Sequence, residues 1–254
     1  MTPGFRGALV DIDGTLLYGD EAIPGAAAAI DRLRGRGIPF RLSTNTTRRP
    51  RRVIADVLCA AGIQVSPEEI VAPSSLARRA IVSSGDPRAM LLVPEASKED
   101  FDGVLEDHGS APFIVVGDLG AGFTFERLNQ AFLGLRNGAR LIALQKNPYW
   151  NAGSRGLLMD AGAFVAALEY ASGMTARVVG KPSEDFYRLA LEELGVPAED
   201  VVSVGDSLVN DAAGAAQAGC RSVLVRTGVF DPAELAASDY RPDAVIGSIA
   251  DLDP

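Results

Sequence analysis

The sequence predicts an α/β fold, a doubly wound parallel sheet with a second α/β domain inserted into it. Three observations carry that reading. Short apolar runs alternate with helix-periodic stretches almost from end to end, the pattern of strands joined by crossover helices. The alternation restarts with strands and helices of its own over residues 80–176. At 254 residues, 47% apolar and 22% charged, the chain is long enough for two modest domains and apolar enough to pack a core in each.

The elements follow in order. Ala8-Leu9-Val10 reads as a buried strand, and Pro24 to Arg34 as a helix with Pro24 near its first turn and Ile30 and Leu33 on one face. Phe40-Arg41-Leu42 is the next strand and Pro50 to Ala61 the next helix. Ser66-Pro67-Glu68-Glu69 has the form of a capping box before a brief strand, Ile70-Val71. In the middle stretch, Met90 to Val93, Phe113 to Val116 and Leu141 to Ala143 read as strands, with helices over Thr124 to Asn137 and Phe164 to Ser172. Arg177-Val178-Val179 then leads to a helix over Ser183 to Leu194. The strand Val201 to Val204, the helix Val209 to Ala218 and the strand Val223 to Val225 come next. Asp231-Pro232-Ala233-Glu234 opens a last short helix, and Ala244 to Ile246 is the final strand. The core therefore spans 1–79 and 177–254, and the insertion 80–176.

Composition narrows the function. With 24 Lys+Arg against 33 Asp+Glu the formal charge is −9, which argues against nucleic acid as a partner. No apolar stretch approaches the ~18–20 residues of a membrane helix. Two cysteines, Cys59 and Cys220, are too few for a disulfide framework or a zinc site and read as small packing residues. Met1 to Arg6 runs straight into the first strand without the features of a signal peptide, so the expected location is the cytoplasm.

The polar residues of interest sit after strands. Asp11 and Asp13 follow Ala8-Leu9-Val10, Thr44 and Asn45 follow Phe40 to Ser43, Lys181 follows Val178-Val179, and Asp206 follows Val201 to Val204. In an open parallel sheet the carboxyl ends of the strands converge on one crevice, where ligands bind. Each member alone has a plain structural reading: Asp13-Gly14 between apolar runs is also a hairpin signal, and Gly180-Lys181 and Gly205-Asp206 are ordinary helix entries. Their agreement, in order along the chain, is the evidence for a site.

Asp11-x-Asp13-Gly14-Thr15, Thr44-Asn45, Gly180-Lys181-Pro182 and Gly205-Asp206-x4-Asp211 resemble the four motifs of the haloacid dehalogenase-like superfamily. That resemblance implies a Rossmann-like core. The insertion lies between the second and third motifs, as in the class with an α/β cap there. Ser43 to Thr47, Val179 to Pro182, and Gly205 through Gly219 to Gly228 are similar to the branch containing phospholysine phosphohistidine inorganic pyrophosphate phosphatase. Some members of that branch carry Ser where this chain has Asp13. Its retention here favours ordinary phosphomonoester chemistry.

The resemblance implies a phosphatase acting on small phosphorylated molecules. Asp11 is then the nucleophile that forms an acyl phosphate, and Asp13 the general acid and base. Lys181 and Thr44 hold the transferring phosphoryl oxygens, with Asn45 beside them. Asp11, Asp206 and a phosphate dianion crowd like charges together, each pair costing roughly 4 kcal/mol at about 4 Å and an effective dielectric of about 20. One lysine cannot offset that. A hard divalent cation with oxygen ligands can, and the lack of a His/Cys cluster disfavours zinc. The expected cofactor is Mg2+ on Asp11, Asp206 and the backbone carbonyl of Asp13, the carbonyl being implied by the resemblance alone. Asp211 reads equally as a contributor to the metal site or as a helix N-terminal charge.

Other features receive plainer readings. His108, the only histidine, falls in a turn-like stretch of the insertion. Gly117, Gly120 and Gly122 lack dinucleotide-loop spacing. Arg48-Arg49-Pro50-Arg51-Arg52 is a solvated face or a means of steering anions. Tyr149 and Trp150 read as packing residues. The inserted domain is expected to close over the site, exclude water and choose the substrate; analogy implies a homodimer through it. Two rivals stay open: hydrolysis of P–N or pyrophosphate bonds at the same site, and a non-catalytic module that binds a phosphorylated ligand.

Overall fold

The computed structural model describes residues 4–151 and 156–253; Met1 to Pro3 of the N-terminal reading lie outside them. The chain forms two compact units, one of Met1–Thr44, Arg51–Val71 and Lys181–Pro254, the other of Asn45–Pro50 and Ala72–Gly180. Both are α/β, and the first is a Rossmann-like core.

In the first unit a six-stranded sheet runs in the order Ala244–Ile246, Arg221–Val225, Val201–Gly205, Gly7–Asp11, Phe40–Ser43, Ile70–Val71. Every neighbouring pair is parallel. All five residues of Gly7–Asp11 are buried, as a strand covered by helices on both faces requires. Ala8 and Val10 pack with Leu42, Ile70, Val202, Val204, Val223 and Val225 in one apolar core. Helix Ala26–Gly35 seals it with Ala26, Ala29, Ile30 and Leu33. Helix Glu184–Leu194 buries Phe186, Tyr187, Leu189, Ala190 and Leu194, and the Ser183 hydroxyl caps it by accepting from the Phe186 amide at 3.2 Å.

The structure departs from the sequence reading in local detail. The rival hairpin reading of Asp13-Gly14 is not realised, but a two-stranded ribbon that the sequence reading lacked, Leu17–Tyr18 with Glu21–Ala22, turns at Gly19-Asp20. The stretch read as one helix from Val209 splits into a π-helical turn, Leu208–Ala213, and an α-helix, Gly214–Gln217. The capping-box expectation at Ser66 is met in part by Glu69, whose carboxylate accepts from the Ser66 amide at 2.8 Å.

The second unit holds a parallel five-stranded sheet, ordered Arg177–Val178, Arg140–Ala143, Phe113–Val116, Arg88–Leu92, Leu105–Glu106. Helices Phe125–Arg136 and Ala161–Ser172 contribute Ala131, Leu135, Val165 and Leu168 to its core. Helix Pro73–Val82, absent from the sequence reading, belongs here: buried Ser74 donates to Asp100 at 2.6 Å. An antiparallel pair of strands, Tyr149–Asn151 with Leu157–Met159, was also not legible, because the strands are short. Among the described residues no helix is long and apolar enough to cross a membrane.

Leu42 is fully buried in the strand beside Gly7–Asp11. Leu42→Ala should lower the stability of this unit by about 2–5 kcal/mol in a urea titration, the usual cost of a core truncation.

Candidate active site

The order of the six strands reverses its direction of growth between Gly7–Asp11 and Val201–Gly205, because the chain builds outward on one side through Phe40–Ser43 and returns on the other. Ligand crevices form at such switch points, outside the carboxyl ends. Asp11 ends the first strand in register with Ser43, and Asp206 follows Gly205 directly.

Lys181 joins these ends. Its ammonium donates to Asp11 Oδ1 at 2.6 Å, to Asp211 Oδ1 at 2.7 Å and to Ser43 Oγ at 3.3 Å. Lys181, Asp11, Asp206 and Asp211 are all at least 95% buried. Asp211 reaches the lysine from the π-helical turn, and the amide of Ser207, which caps that turn, donates to its other oxygen at 3.1 Å. A π-helical turn inside a helix is a frequent mark of a functional position. Tyr187 braces that turn by donating its hydroxyl to the Asn210 carbonyl. At Gly205 a Cβ would lie 2.2 Å from Asp211 Cγ, so only glycine lets this carboxylate approach the strand end.

Asp206 lies between glycines. Its Oδ2 accepts from the Val229 amide at 2.7 Å, and a Cβ on Gly14 or Gly228 would come within 2.0 or 1.8 Å of that oxygen. Asp13 is exposed, and Thr44, fully buried, donates its hydroxyl to Asp13 Oδ2 at 3.0 Å. Of the residues singled out from sequence, Asp11, Asp13, Thr44, Lys181 and Asp206 lie in the first unit, whereas Asn45 is counted with the second and packs near Gly180 there. Asp211, left open between two readings, joins the carboxylate cluster. Ser43, Tyr187, Gly228 and Val229 were missed: a backbone amide and a small residue that permits contact carry no signature of their own in a single sequence.

His108 is exposed in the second unit, 3.4 Å from Glu106. The arginine run is divided among local partners: Arg48 pairs with Asp118 at 2.6 Å and covers the Trp150 ring at 4.6 Å, and Arg52 pairs with Asp56 at 3.1 Å. Cys220 is buried, which pushes its thiol up to about 12 and leaves it a poor nucleophile.

The electrostatics are unbalanced. Burial pushes Asp11 well above the usual carboxylate range; Lys181 opposes this, while Asp211, Asp206 and Asp13 add to it. Burial likewise pushes Asp206 up to about 6, against the Val229 amide, which favours its ionised form. For Lys181 burial works against the charge, yet Asp11 and Asp211 outweigh it and hold its pKa above the ordinary lysine value. One oxygen each from Asp11, Asp206 and Asp211 lies within 4.8 Å of the others. Asp11 Oδ2 is buried without a hydrogen-bond partner among the described residues. Three buried carboxylates, one ammonium and an orphaned oxygen fit a hard divalent cation with oxygen ligands. The side chains clustered for it are Asp11, Asp206 and Asp211; the carboxylate of Asp13 is not among them.

Residues 8–110 match the family model described as haloacid dehalogenase-like hydrolase, and residues 178–252 the one described as HAD-hydrolase-like. The phospholysine phosphohistidine inorganic pyrophosphate phosphatase of Rattus norvegicus is 36% identical over 255 residues, covering 98% of this chain and 93% of the relative. The chain belongs to the haloacid dehalogenase-like hydrolases. Among solved structures, this hydrolase is similar to the p-nitrophenyl phosphatase from Archaeoglobus fulgidus, with a TM-score of 0.91 and 29% identity over 98% of each chain. It is also similar to a glycerol phosphate phosphatase from Mycobacterium tuberculosis, solved in complex with calcium. There the TM-score is 0.86 at 27% identity, covering 97% of this chain and 74% of the other. In the hydrolase fold the inserted α/β unit is the cap domain.

Removing the lysine leaves buried carboxylates without their cation. Lys181→Ala should cost about 3–5 kcal/mol of stability at neutral pH in EDTA, read from urea unfolding. A loss below about 1 kcal/mol would show that the ion pair is not what balances this cluster.

Proposed function

We propose that this hydrolase is a Mg2+-dependent phosphatase of small phosphorylated molecules, working through an aspartyl phosphate on Asp11. The observation that carries the reading is Asp11 itself, a buried strand-end carboxylate with one oxygen on Lys181 and the other without a partner among the described residues, inside a cluster of acids. Phosphate monoesters hydrolyse so slowly unaided that accelerations up to ~10²¹-fold are demanded of the enzymes that cleave them. Splitting the reaction in two lowers each barrier.

In the first step a carboxylate oxygen of Asp11 attacks phosphorus, the bond to the leaving oxygen breaks, and Asp13 gives that oxygen its proton. In the second, water attacks the acyl phosphate, Asp13 takes a proton from the water, and the bond to Asp11 breaks to release phosphate. Asp13 suits proton transfer because it is exposed and oriented by the Thr44 hydroxyl. Lys181 holds a phosphoryl oxygen in this scheme, as does Thr44 once its hydroxyl turns from Asp13 to the substrate, with Asn45 as a further contact. Mg2+, held by Asp11, Asp206 and the Asp13 carbonyl with Asp211 beside them, would offset the negative charge gathered on the phosphoryl group. The choice of leaving group falls to the cap.

A second reading has a specific basis. The rat relative is named for P–N and pyrophosphate substrates, and hydrolysis of such bonds transfers the same phosphoryl group from a different leaving atom. Parallel rates on p-nitrophenyl phosphate, pyrophosphate and a phosphoramidate separate the two readings.

Asp11→Asn should lose turnover of p-nitrophenyl phosphate by at least about 10³-fold, as expected for a covalent nucleophile, and EDTA should abolish it in the unaltered protein. Equal inactivity with and without Mg2+ would instead support a binding module. The Mg2+ concentration for half-maximal rate should rise as pH falls through about 6, because Asp206 must be ionised to accept a cation and protons compete for it. A metal requirement constant between pH 5 and 8 would contradict that role for Asp206.

A further inference from the structure

The loop after strand Arg221–Val225 touches two separate parts of the site. Thr227 donates its hydroxyl to the Gly14 carbonyl at 2.6 Å, and two residues later the Val229 amide donates to Asp206 Oδ2 at 2.7 Å. Between them Gly228 has φ +61°, and a Cβ there would lie 1.8 Å from Asp206 Oδ2 and 2.7 Å from Gly14 Cα. The Val229 side chain is 71% exposed, so apolar burial does not hold this residue in place.

Gly14 is pinned from the other side as well. Its amide donates to the Leu17 carbonyl at 2.7 Å, fixing the peptide that also carries the Asp13 carbonyl. The Thr227 hydroxyl fixes the peptide that follows. Both bonds bear on the turn immediately after Asp11, while Val229 bears on Asp206, from a different strand. Partners of this kind, which orient ligating carboxylates and carbonyls, commonly matter nearly as much as the ligands.

We infer that Thr227–Val229 is a latch that holds the Asp11–Gly14 turn and the Asp206 carboxylate in one fixed relation, with Thr227 as a positioning residue for the metal site. This rests on the functional reading above only in naming the cation. Gly228 is required because the latch backbone passes against both Gly14 and Asp206. Thr227 touches no reacting atom; it acts through Gly14.

The test compares Thr227→Val, which keeps shape and removes the hydroxyl, with Thr227→Ser, which keeps the hydroxyl. The Mg2+-induced rise in melting temperature is titrated first, followed by kcat and KM on p-nitrophenyl phosphate. Thr227→Val should need between about 10- and 100-fold more Mg2+ for half its thermal response and lose kcat in the same range, with KM within about threefold. Thr227→Ser should stay within about threefold of the unaltered protein. A Thr227→Val protein that titrates and turns over normally overturns the latch, as does equal damage in both variants, which would mark a packing role. If the unaltered protein responds to Mg2+ in neither assay, the functional reading fails. Amide exchange at Val229 in metal-free protein then decides the latch alone: faster exchange in Thr227→Val than in Thr227→Ser supports it, and equal exchange overturns it.

Discussion

The Lys181 ammonium, held between Asp11 and Asp211, is the interaction on which the site depends. Burying carboxylates is costly, and the low-dielectric interior repays the cost only where an opposite charge is close and the geometry good. One lysine reaching two acids from different segments ties a strand end to a π-helical turn. It still leaves the cluster short of positive charge. That shortfall is what a divalent cation would make good; burial, with Asp211 adding to it, pushes both Asp11 and Asp206 toward protonation.

The fold exists to make this crowding possible. Parallel strands place their carboxyl ends together whatever the distance along the chain, so Asp11 and Asp206, nearly two hundred positions apart, become neighbours. Glycines do the rest. Gly205 admits Asp211, while Gly14 and Gly228 admit Asp206, each at a distance no Cβ would tolerate. Each is therefore as necessary to the site as the acids they surround, although they contribute no functional group.

Much of this was legible beforehand. Asp11, Lys181 and Asp206 are legible only together: each alone reads as an ordinary turn or helix entry, and their recurrence after successive apolar runs is what points to a site. Asp211 could not be decided from sequence, since a helix N-terminal acid and a site acid look alike until the π-helical turn is seen. Tyr187 was hidden in a helix face already explained by Phe186, Leu189 and Leu194. Val229 was beyond reach because its contribution is a backbone amide. The ends of the inserted unit were harder still: helix Pro73–Val82 is tied into it by Ser74 and Asp100, a contact that periodicity does not reveal.

Calorimetric titration of metal-free protein with Mg2+ tests the central claim most directly, with Asp206→Asn as the comparison. The charge-deficit account requires saturable binding of one ion by the unaltered chain, and at least about tenfold weaker binding once that carboxylate is neutralised. Absence of binding at millimolar Mg2+, or equal affinity in the two proteins, would contradict it.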